Sequence, residues 1–156
     1  MDYSRCLSRL QKLCSKAEYC RDDVYRKALK DLEGDADAAS RVAASLVADK
    51  YVDDFRYASA FAREKSSIQG WGPVKIRYQL RAKGVPEACI AAALEEIADS
   101  PAAASRLEKL LEAKKKMLEG DPQAKLKLIK FALSRGYEYE EVTSCLQLLL
   151  RGTCQD

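Results

Sequence analysis

The sequence predicts an all-α chain built from tandem three-helix units, about nine helices in an elongated or curved array. Three observations carry that expectation. Of 156 residues only 7 are Gly and 4 are Pro, while Ala, Leu, Lys, Arg and Glu dominate, a composition that favours helix. Apolar side chains recur at three and four residues along most of the chain. Prolines fall where helices open and glycines where they close.

Taken in order, Asp53 is an N-cap for a helix from Asp54 to about Ser67 whose stripe is Phe55, Ala58 and Ala62. Gly70, Trp71, Gly72 and Pro73 form a turn, and Pro73 opens a helix to about Ala82 that buries Ile76 and Leu80. Gly84 stops it. Pro86 opens the next helix, through Ile90, Leu94 and Ile97. Ser100 with Pro101 caps a long helix reaching about Glu119, and Asp121 with Pro122 caps another carrying Leu126, Ile129 and Phe131 to Gly136. Val142, Leu146 and Leu149 mark a last helix.

The stretches around Gly84 and Gly136 look like copies. Each has a basic residue before Gly, an aliphatic six residues after it (Ile90, Val142) and another four later (Leu94, Leu146). Gly34 lies 50 residues before Gly84, so a period near 50 is expected. Its copy is degenerate: Glu33 replaces the basic residue, and Val42 and Leu46 fall two positions late. The predicted units are residues 1–50, 51–99 and 100–156.

The absence of histidine excludes Ser-His-Asp and Cys-His catalysis, HExxH zinc sites and imidazole acid/base chemistry. The six cysteines (6, 14, 20, 89, 145 and 154) lack the close spacing of zinc ligands. No metal, no cofactor and no catalytic set are expected. The start, MDYSRCLSRLQK, is charged and unlike a secretory leader, so the cysteines are read as reduced, buried as small hydrophobes in a cytoplasmic protein. The longest apolar run, Ala88–Leu94, is far short of the roughly 20 residues that span a bilayer.

The net charge of +3 is unevenly distributed. Arg63, Lys65, Lys75, Arg77, Arg81 and Lys83 face one acid, Glu64, between positions 63 and 83; from 86 to 100 there are four acids and no base. Arg77 and Arg81, four apart on a helix, could meet phosphates or carboxylates, with a solvated face as the plainer account. Lys127, Lys130 and Arg135 add cations later in the chain. Trp71 is read first as a core plug, Asp53 and Asp54 as caps, Lys114–Lys116 as a solvated run, and Tyr137 with Tyr139 as a staple on the last helix. A helix-turn-helix DNA reader is disfavoured, because the helices after Gly84 and Gly136 lead with Glu87 and with Glu138, Glu140 and Glu141, which would face phosphate.

The segment from Tyr51 to Leu146 resembles the RecX family of recombinase regulators. Asp53, Asp54, Arg56, Tyr57 and Ala58 occupy the family's DD-x-R-[FY]-A pattern, and Ile76, Leu80, Lys83 and Gly84 its later I-x-x-x-L-x-x-K-G. Arg135 with Gly136 matches the third repeat, and Trp71 beside Gly72 is a subgroup variant. The resemblance implies a bacterial cytoplasmic protein, without catalysis, that binds the RecA filament on DNA and limits its ATPase, strand-exchange and coprotease activities. The cations taken as candidate site residues for RecA or DNA are Arg63, Lys65, Lys75, Arg77, Arg81, Lys83, Lys127, Lys130 and Arg135. A monomer with weak, non-specific affinity for single- or double-stranded DNA and no membrane contact is expected. A plain nucleic-acid-binding protein and a helical scaffold for another partner are the alternatives.

Overall fold

The computed structural model describes residues 1–154, with side chains described through Arg151; the predicted third unit runs to 156, and its last two residues and the Cys154 side chain lie outside the described residues. Among the described residues there are nine α-helices and no strand: α1 (Tyr3–Lys16), α2 (Arg21–Asp31), α3 (Ala36–Ala48), α4 (Asp54–Ser67), α5 (Pro73–Ala82), α6 (Glu87–Ala98), α7 (Ala103–Met117), α8 (Ala124–Ser134) and α9 (Tyr139–Cys154). The all-α expectation holds. Contacts divide the chain into two compact units, Met1–Phe61 with Gln79–Ala93, and Ala62–Tyr78 with Leu94–Asp156.

The first unit is organised by α1, α2 and α3 around Cys6, Leu10, Val24, Ala28, Ala39, Val42, Ala43, Leu46 and Val52. These positions recur at helical spacing on each element, so each helix turns one stripe inward. In the second unit α7, α8 and α9 enclose Leu107, Leu111, Leu128, Ala132, Tyr137, Val142 and Leu146. Ile76, Leu80, Ile90, Leu94 and Ile97 are buried as expected.

A left-handed turn joins α2 to α3, α5 to α6 and α8 to α9. In each, an amide just past the helix bonds the carbonyl five residues back: Val85 to Leu80 at 3.1 Å, Tyr137 to Ala132 at 3.3 Å and Gly34 to Leu29 at 2.8 Å. The residue before each donor has positive φ, namely Gly84 (72°), Gly136 (94°) and Glu33 (54°), the geometry of a Schellman cap. The first copy is therefore in a different register from the one expected. Glu33, not Gly34, matches Gly84 and Gly136. The positions six and ten residues later are then Ala39 and Ala43, both fully buried, in the places of the larger Ile90/Leu94 and Val142/Leu146.

Other expectations are corrected locally. Phe55 is 55% exposed and Leu126 49% exposed, so the inward faces are Ala58/Ala62 and Leu128/Ala132. Ser100 does not cap α7, which begins at Ala103 without a side-chain cap; the Ser100 hydroxyl instead accepts from Arg106 at 3.3 Å. Asp121 accepts from the Gln123 amide at 2.8 Å, a local turn that delays α8 to Ala124. Tyr137 is buried, but Tyr139 is 59% exposed.

Candidate nucleic-acid interface

In the first unit the DD-x-R-Y-A residues form a clasp. Asp53 Oδ1 accepts from the Phe55 and Arg56 amides at 2.9 and 3.2 Å, capping α4. Asp54 Oδ1 accepts from the Arg21 amide at 2.9 Å, so it serves the start of α2 and not its own helix. Arg56 pairs with Glu18 at 2.6 Å and donates to the carbonyls of Lys50 and Tyr51 at 3.2 and 3.1 Å, fixing the loop after α3. Tyr57 is buried and stacks on Phe61; burial raises its hydroxyl above the ordinary range. These residues join elements, and the Asp53 and Asp54 carboxylates each accept from backbone amides.

Lys83 and Arg81 also lie in this unit. Lys83 Nζ meets Asp23 at 2.8 Å, and that hydrogen bond raises its pKa. Burial alone would raise the Asp23 carboxyl, but hydrogen bonds from Lys83 and Cys20 hold it below its usual value. Arg81 pairs with Glu87 at 3.2 Å across exposed surface. The described cysteine thiols are free, and burial pushes Cys20 up to about 11, which leaves it an unreactive thiol. Among the described residues no group of three His, Cys, Asp or Glu side chains could hold a metal ion.

In the second unit three of the expected cations, Lys65, Lys75 and Arg135, lie at two turns. The turn before α5 docks on the turn after α8: the Gly72 amide donates to the Arg135 carbonyl at 2.6 Å and the Val74 amide to the Gly136 carbonyl at 2.9 Å. The approach leaves no room for side chains. A Cβ on Gly72 would lie 2.6 Å from the Gly136 carbonyl carbon, and one on Gly136 would lie 2.6 Å from the Lys75 nitrogen. The Gly-Trp-Gly and Arg-Gly motifs are thus one contact.

Trp71 is not the core plug expected. It is half-buried, its amide bonds the Lys65 carbonyl at 2.9 Å, and the Lys65 and Lys75 ammoniums lie over its ring at 5.0 and 4.4 Å from the centroid. Arg135 donates to the Gln69 carbonyl at 3.2 Å and its guanidinium lies 5.1 Å from the Phe131 centroid. The Lys114 ammonium lies over the same ring at 4.9 Å; its place in a lysine run hid it. Of the remaining candidates, Arg63 faces Glu96 at 3.6 Å, Lys127 meets Asp121 at 2.5 Å, Arg77 is half-buried on α5, and Lys130 is exposed.

A family model described as "RecX, second three-helix domain" matches residues 53–94. Regulatory protein RecX of Pelodictyon phaeoclathratiforme is 34% identical over 140 residues, covering 89% of this chain and 85% of that protein. The chain belongs to the RecX family. Regulatory protein RecX of Haemophilus ducreyi is 29% identical, covering 87% of each chain. That of Bacillus mycoides is 33% identical over 112 residues, of which this chain spans 41% of the relative's length. A crystal structure of RecX from Lactobacillus salivarius superposes with a TM-score of 0.80 at 19% identity over 94% of this chain and 96% of that one. A second, a regulatory protein RecX, gives 0.78 at 23% identity over 91% of this chain and 71% of that one. These two share the fold. No helix among the described residues is long and apolar enough to cross a membrane.

Proposed function

We propose that this chain is a cytoplasmic, non-catalytic regulator that binds RecA filaments on DNA and lowers their ATPase, strand-exchange and coprotease activities. The observation that carries the reading is membership of the RecX family over most of the chain's length, together with the ordered motif from Asp53 to Gly136. The organisation proposed is three tandem three-helix repeats, 1–50, 51–99 and 100–156, acting as a monomer. The proposed contact residues for RecA or DNA are Arg63, Lys65, Lys75, Arg77, Arg81, Lys83, Lys127, Lys130 and Arg135.

Lys83 has a second role beside that one, since its ammonium is held by Asp23. Cations on one chain suit a polyanionic partner, and the absence of a GxxxxGK[ST] phosphate loop in the sequence leaves no motif for nucleotide hydrolysis by the protein itself. The test is affinity for single-stranded DNA with and without RecA, read by fluorescence anisotropy. A regulator of the filament binds RecA-coated DNA at least tenfold more tightly than bare DNA. Equal binding to both supports a plain nucleic-acid-binding protein, and binding to neither supports a scaffold for another partner.

A further inference from the structure

The two cation-bearing rings of the second unit extend the reading. Cation–π contacts occur about once per 70–80 residues in proteins, yet here Trp71 carries Lys65 and Lys75 while Phe131 carries Lys114 and Arg135. Arg135 joins the two sets, because its side chain bonds the Gln69 carbonyl two residues before Trp71 and its own carbonyl accepts the Gly72 amide. Lys65, Lys75 and Arg135 thus lie at the two docked turns, and Lys114 shares the Phe131 ring with Arg135. Cations grouped in this way suit a polyanion with closely spaced negative charges. Each ring already carries two cations, a role different from that of the aromatic platforms on which bases stack in single-strand binders.

We propose that Lys65, Lys75, Lys114 and Arg135 form a site for the phosphodiester backbone of nucleic acid, with Trp71 and Phe131 as positioning residues that hold these cations and do not stack on bases. The proposal rests on the DNA contact included in the reading above. It commits to the backbone, and it adds Lys114, Trp71 and Phe131 to the surface.

The test uses the full chain and its single tryptophan. Oligo-dT and an abasic deoxyribose-phosphate oligomer of equal length are titrated while Trp71 fluorescence is followed. Both should change the emission and bind within about threefold of each other. Lys65→Gln with Lys114→Gln should weaken both at least tenfold and lower the slope of log K against log salt by about 1.4, near 0.7 per lost contact with a single strand. With a labelled oligomer, Trp71→Phe should keep most of the affinity, because a ring remains, whereas Trp71→Leu should lose severalfold on both oligomers. Oligo-dT binding tenfold more tightly than the abasic oligomer would overturn the proposal, as would an unchanged salt slope in the lysine variant. RecA ATPase is assayed in parallel: a double variant that loses backbone binding yet still inhibits RecA supports the site and removes it from the regulatory step, while a wild-type protein that binds backbone but leaves RecA unaffected refutes only the RecA reading.

Discussion

Gly136→Ala is the sharpest test of the docking between the turn before α5 and the turn after α8. Two costs combine at this position. With φ at 94° an L side chain is strained by about 1–2 kcal/mol, and the new methyl would sit 2.6 Å from the Lys75 nitrogen and 3.0 Å from its Cα. Backbone cannot swing aside as a flexible side chain can, so overpacking adds about 1–3 kcal/mol. The sum is roughly 2–5 kcal/mol, equivalent to a fall in Tm on the order of 5–20 °C for a chain of this size. The assay is thermal and urea unfolding followed by Trp71 fluorescence, which reports on the second unit. Gly120→Ala is the control in the same unit, since it also has positive φ (82°) but nothing within 4 Å; it should cost only about 1–2 kcal/mol. If Gly136→Ala proves no more damaging than Gly120→Ala, the two turns are not packed as described.

Three further outcomes are expected. Asp53→Ala removes the acceptor for two amides at the start of α4 and should cost about 1 kcal/mol in urea unfolding. Lys83→Met should cost about 1–2 kcal/mol near neutral pH, a modest figure because Lys83 is 45% exposed while Asp23 is 16% exposed. Asp23 is held low, so its share of that difference should shrink as pH falls through its depressed pKa; Lys83 is held high, so its share should disappear only as pH rises through its raised pKa. Arg77→Ala with Arg81→Ala should weaken binding to the RecA filament by about 1–3 kcal/mol with little change in Tm, since neither residue belongs to the buried stripe of Ile76 and Leu80. Lys115→Ala with Lys116→Ala is the matched control and should change binding much less.

The helices around Pro73, Gly84 and Gly136 were legible in the sequence because proline and glycine fix backbone geometry locally. Where the signal was side-chain chemistry, it was weaker. The register of the first repeat is hidden in the sequence because Glu33, not the adjacent Gly34, holds the left-handed turn, and because Ala39 and Ala43 fill places that larger aliphatics hold in the other two copies. Helix starts failed at Ser100 and Asp121, whose side chains serve Arg106 and a tight turn. The candidate cations were legible as a charge run, but their grouping was not. Lys65 and Lys75 share the Trp71 ring, and Lys114 reaches Phe131 from another helix, relations set by tertiary packing with no periodic trace. In the same way Asp54 looked like a cap of its own helix and caps α2 instead. A correspondence at 33 with alanines allowed at the core positions would have recovered the repeat; nothing in the order of residues would have paired Lys114 with Arg135.

The reading of this chain as a filament regulator is tested most directly by the rate of ATP hydrolysis by the cognate RecA on single-stranded DNA, measured over a range of concentrations of this protein from well below to equal with RecA. The account predicts a progressive fall in rate, with no hydrolysis by the protein alone. A RecA rate that stays constant across that range would contradict it.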